Sequence, residues 1–266
     1  MNPYQGKVAV VTGAGAGIGR ALALGLADRG ARLAISDVDD AALDETQTRC
    51  NGAEVRRYRV DVSSREQVFA HADDVKRDFG TAHYVFNNAG VSLAASFDHS
   101  TIEEIEWLLG INLWGVIYGT KAFLPLFLAQ REGHIVNMSS IFGLVGVPGQ
   151  SAYNISKFGV RGLTESLWRE LRHTGVKATT VHPGGIRTNI KHASPLGKFA
   201  DDYEKNLVAS GARFFVTPVE DCARAILDGV AHGRRRIVTG KKAWITDVAA
   251  RLLPSEYGRI FGYYGL

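Results

Sequence analysis

Cysteine, methionine and proline are all scarce in this chain of 266 residues, at 2, 2 and 7 copies. Cys50 and Cys222 stand far apart and have no metal-ligand spacing, which excludes a disulfide framework and a cysteine metal site. They read as reduced thiols, and the expected location is cytoplasmic. No signal-peptide pattern is visible in Met1–Lys7. Long uninterrupted apolar runs are missing too. The most apolar window, Ile111–Ala129, contains Asn112, Lys121 and Pro125, so a buried or subunit-interface helix is expected there rather than a membrane span. Basic charge is scattered, with a formal net charge of +4. Its densest run, Arg234–Arg236, lacks interleaved aromatics, so no nucleic-acid partner is expected. There is no internal repeat, low-complexity tract or linker long enough to divide the chain. With 45% hydrophobic and 22% charged residues, the composition suits one large α/β domain spanning residues 1–266.

Glycine, by contrast, is plentiful, and its placement is informative. Lys7–Thr12 is a continuous apolar run, as in a parallel strand covered on both faces. It leads into Gly13-Ala-Gly-Ala-Gly17-Ile18-Gly19 and then a helical pattern over Arg20–Arg29. Strand, glycine turn and helix in that order make a phosphate cradle. The glycines let backbone approach a pyrophosphate, and the helix N-terminus supplies amide donors and partial positive charge. The second strand, Arg32–Ser36, ends at Asp37, where a carboxylate hydrogen-bonds adenosine ribose and repels a 2′-phosphate. Ala16 in the turn offers no cation to offset that repulsion, so NAD(H) is favoured over NADP(H). The competing use of Asp37 is to cap the next helix, a role that suits Asp39 or Asp40 better.

The third strand is read at Val55–Val60, closing on Asp61 and Val62. A helix from Ser63 or Ser64 to Phe79 follows, with Glu66 placed for a capping box. Asp61 is in position to meet an adenine edge. A fourth strand, Ala82–Phe86, ends in Asn87-Asn88-Ala89-Gly90, whose small residues permit close backbone approach to a ligand. A long helical region covers Thr101–Gln130. Asn112 there is expected to satisfy a buried backbone group or to distort the helix, and Pro125 to bend or end it.

His134–Met138 is the fifth strand and carries Ser139 and Ser140 at its end. A helix over Ser151–His173 stops at Gly175, and a sixth strand, Val176–Val181, precedes Pro183 and Gly184. On the helix, Tyr153 and Lys157 share one face, one turn apart. An ammonium beside a phenol favours the phenolate, so the Tyr153 pKa is expected to fall toward neutrality, giving a usable acid or base for an alcohol or carbonyl. Ser140 is placed to reach the same oxygen. Residues 189–217 show loose periodicity and read as a substrate loop. A helix from Pro218 and Val219 to Gly233 and a short strand, Arg236–Thr239, come next. The tail, Ala243–Leu266, combines a short amphipathic helix with aromatics (Tyr257, Phe261, Tyr263, Tyr264) expected to pack on another subunit or over the site.

Thr12-Gly13-x-x-x-Gly17-Ile18-Gly19, Asp61, Asn87-Asn88-Ala89-Gly90, Asn112, Ser140, Tyr153-x-x-x-Lys157 and Pro183-Gly184, in that order and spacing, resemble the short-chain dehydrogenase/reductase family over Lys7 to Thr188. The resemblance implies an α/β, doubly wound Rossmann-like domain with a seven-stranded parallel sheet flanked by helices, commonly assembled as a homotetramer or dimer. It places a catalytic tetrad on Asn112, Ser140, Tyr153 and Lys157. Tyr153 is then the acid/base, Ser140 polarises the substrate oxygen, Lys157 binds the nicotinamide ribose, and Asn112 holds a relay water. Gly13, Gly17, Ile18 and Gly19 would wrap the pyrophosphate, Asp37 the ribose, and Asp61 with Val62 the adenine. Asn88, Ala89, Gly90, Pro183, Gly184, Ile186 and Thr188 would flank the nicotinamide side.

The reading is an NAD(H)-dependent oxidoreductase interconverting a secondary alcohol and a ketone, with no metal. Val91, Leu93, Leu144, Val145 and the loop phenylalanines suggest an apolar substrate, while Lys191, His192, Lys198 and Arg213 keep an anionic one open. The alternatives are an NADP(H)-dependent carbonyl or 3-oxoacyl reductase, a silent NAD(H)-binding regulator, and a lyase or epimerase. A regulator has no need of Ser140, Tyr153 and Lys157 together, and a lyase or epimerase typically carries a larger C-terminal domain. An enoyl reductase is disfavoured because that branch spaces its tyrosine and lysine farther apart.

Overall fold

The computed structural model describes residues 2–188, 195–211 and 215–260. Seven strands form one parallel sheet in the order β3-β2-β1-β4-β5-β6-β7. They are β1 (Val8–Thr12), β2 (Arg32–Asp37), β3 (Val55–Arg59), β4 (Tyr84–Asn87), β5 (Gly133–Met138), β6 (Val176–Pro183) and β7 (Arg236–Thr239). The helices between them are α1 (Gly17–Ala27), α2 (Asp40–Arg49), α3 (Arg65–Phe79), α4 (Ile102–Leu109), α5 (Gly115–Gln130), α6 (Ser151–Glu170), α7 (Asp202–Gly211), α8 (Val219–Ala231), α9 (Ala243–Leu252) and α10 (Tyr257–Ile260).

Period-2 alternation divides the core between two helical layers. From β1, Ala9 and Val11 join Leu22, Leu26, Ile226 and Leu227 of α1 and α8. Val8 and Val10 face the other way, toward Val75, Phe79, Phe123, Phe127 and Leu167 of α3, α5 and α6. Edge strand β3 carries the exposed arginines Arg56, Arg57 and Arg59, which discourage edge-to-edge pairing. The strand order reverses between β1 and β4, and there the sheet's carboxyl edge opens the crevice in which α/β folds bind ligands.

The local signals hold with adjustments. Asp39, not Asp37, caps α2, accepting from Ala42 N at 3.0 Å. Ser64 caps α3, so the third helical position is Gln67 and Glu66 falls outside the capping box. The single helix expected over Thr101–Gln130 is interrupted by a π turn at Gly110–Trp114. Pro125 does not end it: α5 runs through that residue to Gln130. Ile102–Gln130 is long and apolar enough to cross a membrane by length and composition, but it is broken at the π turn and packs on α3 and α6. A helix, α7, stands inside the segment read as loose loop.

Candidate active site

At Gly13 and Gly19 the turn has no room for a side chain. At Gly13, with φ of +65°, a Cβ would stand 2.7 Å from Ala89 Cα, and at Gly19 it would stand 2.0 Å from Gly13 O. Helix α1 begins at Gly17 behind Ala16, which has no side-chain acceptor for the first amides. Those donors and the positive helix end are therefore left for an anion. Ile18 packs against the α1/α8 core layer. Asp37 Oδ2 accepts from Gly15 N at 2.9 Å, which places the carboxylate against the turn, where ribose hydroxyls bind. Thr188 comes over the turn from beyond β6, 3.5 Å from where a Gly17 Cβ would be.

The ends of β1 and β4 are knitted by Thr12. Its Oγ1 accepts from Asn88 N and Ala89 N, each at 3.0 Å. Asn88 Nδ2 returns to Thr12 O at 2.9 Å. Gly90 is the meeting point of the two half-sites, since a Cβ there would lie 3.1 Å from Asn112 Oδ1 and 3.5 Å from Lys157 Nζ. Asn112, fully buried in the π turn, clamps Val91 by both backbone groups at 2.8 Å. Both alternatives offered for this residue hold together: it satisfies buried backbone, and the helix is distorted where it sits.

On α6, Tyr153 and Lys157 share a face as expected. Ser140 lies beside the Tyr153 phenol, where its hydroxyl pulls the phenol's pKa down. The expected direction of the phenol's pKa is overturned, however. Burial pushes it up to about 12, against the downward pull of the Ser140 hydroxyl. Lys157 does not set it. Its Nζ donates to Met138 O at 3.0 Å, lies 5.4 Å from the Tyr153 ring centroid, and is itself pushed down to about 8 by burial.

Other predicted residues fall less centrally. Asp61 Oδ1 is engaged by Ser63 N and Oγ at 2.9 and 2.6 Å, and the Val62 side chain packs on Gly115. Gly184 N donates to Thr239 O at 2.8 Å, which fixes the turn after Pro183, and Ile186 is buried. Leu93, Leu144 and Val145 are buried, and Val91 and Leu93 pack in the same cluster as Tyr153. Phe199, one of the loop phenylalanines, is 58% exposed. Lys191, His192, Arg213 and Phe214 lie outside the described residues, as do Phe261, Tyr263 and Tyr264. Of the aromatic tail, Tyr257 returns to the site, where its hydroxyl accepts from Gly146 N at 2.8 Å.

Several residues important to this geometry escape a reading of the sequence. Ser139 Oγ bonds Lys157 O at 2.8 Å, Asn154 gathers the 142–147 turn, and His182 reaches Ser140 O at 2.9 Å. Their available signal was polarity within or beside apolar runs. Glu204, an apparently ordinary helical acid, is fully buried and accepts from Ser96 N at 3.0 Å, Ser96 Oγ, His99 Nδ1 at 2.9 Å and Asp201 N at 3.0 Å.

Comparison with known proteins agrees with this layout. A family model described as short chain dehydrogenase matches residues 7–197. A protein of Mycobacterium tuberculosis named putative oxidoreductase SadH is 48% identical over 98% of this chain and 95% of its own length. A short-chain dehydrogenase/reductase from Burkholderia phymatum, solved in complex with NAD, superposes with a TM-score of 0.87 at 34% identity, covering 96% of this chain and 95% of that one. A metagenomic short-chain oxidoreductase in complex with NADP superposes with a TM-score of 0.73 at 28% identity, covering 88% and 97%.

Proposed function

The chain belongs to the short-chain dehydrogenase family, enzymes acting on CH–OH groups with NAD(P), and on that premise we propose that it interconverts a secondary alcohol and a ketone with NAD(H). The observation that carries this reading is the convergence of Ser140, Tyr153, Lys157 and Asn112 beside a glycine turn with no room for a Cβ at Gly13 or Gly19. The residues fit a dinucleotide: an uncapped helix start for the pyrophosphate, and Asp37 on the turn for the ribose. That carboxylate supports NAD(H) over NADP(H) by repulsion of a 2′-phosphate.

When bound, the cofactor supplies or accepts the hydride. Tyr153 moves the proton. With its pKa raised to about 12 the phenol is protonated at neutral pH, ready to act as the acid in carbonyl reduction. Alcohol oxidation needs the phenolate, so its kcat/KM rises with pH into the alkaline range. Ser140 holds the substrate oxygen, Lys157 the nicotinamide ribose, and Asn112 a relay water. Gly13, Gly17, Ile18, Gly19, Asp61, Val62, Asn88, Ala89, Gly90, Pro183, Gly184, Ile186 and Thr188 complete the cofactor contacts.

An apolar substrate is supported by the apolar cluster around Tyr153 (Leu93, Ala95, Leu108, Ala152). We take the chain as one catalytic domain with a substrate loop at 189–217 and a tail at 243–266, acting in the cytoplasm. A homo-oligomer, dimer or tetramer, is supported by Trp107, Trp114, Ile155 and Phe158, which stay exposed on α4, the π turn and α6. The test is a panel of alcohols and ketones graded by size and polarity, assayed with NAD⁺ and NADP⁺. NAD-linked turnover that rises toward high pH, and that Tyr153→Phe lowers about 10³-fold while NADH binding is retained, is the expected result. Full activity in that variant removes Tyr153 from the mechanism.

A further inference from the structure

Ser140 occupies an exacting position. It leaves β5 in extended conformation and caps the short 3₁₀ turn Ile141–Gly143, its Oγ accepting from Phe142 N at 3.1 Å. A hydroxyl has one proton to give. With the Phe142 amide on one lone pair, that proton is free to turn toward the neighbouring Tyr153 oxygen, the sense in which Ser140 lowers the phenol's pKa. Where the Ser140 hydroxyl is aimed therefore depends on how the Ser140 backbone is held.

The β5–β6 ladder does not hold it. The last rung is Ser139 N to Val181 O at 2.8 Å, and Pro183, which has no N–H, cannot continue the pairing from β6. The side chain just before that proline takes over: His182 Nδ1 meets Ser140 O at 2.9 Å. A carbonyl only accepts, so Nδ1 carries the proton. Nε2 is then bare and takes the Thr180 hydroxyl at 3.3 Å. The ring is fully buried. Arg236 of β7, Arg161 of α6 and Asp247 of α9 are the charged groups around it, and burial keeps it neutral.

On the far side of the turn, Asn154 Nδ2 donates to Phe142 O at 2.6 Å and Val145 O at 2.8 Å, and its Oδ1 accepts from Val147 N at 3.1 Å. The turn carrying Ser140 is thus gripped from the strand by His182 and from the helix by the neighbour of Tyr153. The Phe142 ring meets the Tyr153 ring edge-on, with centroids 6.0 Å apart.

We infer that His182 is a positioning residue for the Ser140–Tyr153 pair, acting through the hydrogen bond from its Nδ1 to the Ser140 carbonyl. This rests on the oxidoreductase reading above, since the pair must carry the proton for the positioning to matter.

Three variants separate position from bulk. In His182→Asn the amide nitrogen falls where Nδ1 was, whereas His182→Gln puts its donor in the place of Nε2 and His182→Leu has none. Leu and Gln are expected to lose kcat at least tenfold, with KM and the NADH dissociation constant within threefold of the parent. Asn is expected to restore most of the rate. Because the Ser140 hydroxyl lowers the phenol's pKa, the alkaline rise of oxidation kcat/KM should move to higher pH in Leu and Gln but not in Asn. Unchanged kcat and pH profile in Leu or Gln overturn the inference. So does an equal loss in all three variants with the pH profile unmoved, which is the outcome of a merely structural role. If Leu does not fold, the Gln–Asn contrast decides.

Two measurements need no turnover. ¹⁵N-histidine spectra must show His182 protonated at Nδ1, and a bare Nδ1 rejects the proposal. Exchange of the Phe142 amide, which reports on Ser140 Oγ, should speed up at least tenfold in Gln and Leu and stay near the parent in Asn; equal exchange in all three also rejects it. Should the parent turn over no alcohol or ketone, the oxidoreductase reading fails, and these two measurements still decide whether His182 fixes Ser140.

Discussion

At the crevice, polar groups from neighbouring strands bond to one another. Asn87 reaches Asn137 at 2.8 Å, Asn137 reaches Thr164 of α6 at 3.0 Å, and Thr12 bridges to Asn88 and Ala89. Every link there is short and tied to a strand of the sheet, and those through Asn137 are buried. Residues 195–211 are fastened differently. Ala94 exchanges backbone bonds with Pro195 O and Gly197 N at 3.1 and 3.0 Å, Glu104 accepts from Lys198 N at 2.7 Å, and Glu204 collects the Ser96–His99 turn. The outside of this segment keeps Leu196, Phe199 and Tyr203 exposed. One region is rigid through many shared bonds, and the other is hung from a few carboxylates. The first suits a ligand held in one fixed pose, and the second suits one admitted by a shift of the segment.

The contrast breaks most severely at Gly19→Ala. Its Cβ would enter the space of Gly13 O, so the cradle must open. NADH affinity is expected to fall at least 100-fold by fluorescence titration, with the helical circular dichroism retained because Leu22 and Leu26 still anchor α1.

Acid sharpens the comparison next. His71, His134 and His182 are held neutral by burial, with pKa values lowered to about 4, 3 and 4. Their folded pKa lies below the unfolded value, so between about pH 6.5 and 4 the unfolded chain binds more protons and stability falls as pH falls. Three such groups give a slope of about 4 kcal/mol per pH unit near pH 5, set against a usual total of about 5–15 kcal/mol. Urea unfolding at pH 7, 6 and 5 checks it. Glu204, whose carboxyl is held far below its usual range by the donors on it, does not add to this fall.

A smaller effect is expected from Glu204→Gln, which sets an amide N–H₂ against one of the donors that now bond it. KM for the alcohol should rise about tenfold while the NADH dissociation constant is unmoved, as hydrogen bonds to a charged group are worth about 1.5–3 kcal/mol. Smallest of all is Arg57→Ala at the sheet edge. Its pairing with Asp44 is solvent-exposed, and less than about 1 kcal/mol should be lost in urea unfolding.

The same division governs what the sequence discloses. Gly13 to Gly19, Asp37 and the Tyr153–Lys157 pair are local patterns whose spacing already implies their geometry, and Asn112 betrayed itself by being polar among apolar neighbours. Glu204 sits on a short helix of mixed composition, so its burial depends on Ser96 and His99, a hundred residues away in the chain. The phenol's pKa is hidden from the sequence for the same reason. One helical turn fixes where Lys157 can be, but the surrounding protein determines how much water reaches Tyr153, and Met138 O claims the ammonium. His182 and Asn154 act on backbone groups of a turn they do not belong to, and no spacing rule announces that.

The π turn at Gly110–Trp114 has a consequence for chain length as well as for side chains. A π turn is an α-helix carrying one surplus residue. Deleting one residue of the five would let the helix close into regular α geometry with α4 and α5 kept nearly in phase, because the π turn absorbs the surplus residue. A one-residue deletion would leave α4 facing α6 but remove the local bulge in which Asn112 clamps both backbone groups of Val91. The length of this stretch is therefore under tighter constraint than the identity of most of its residues.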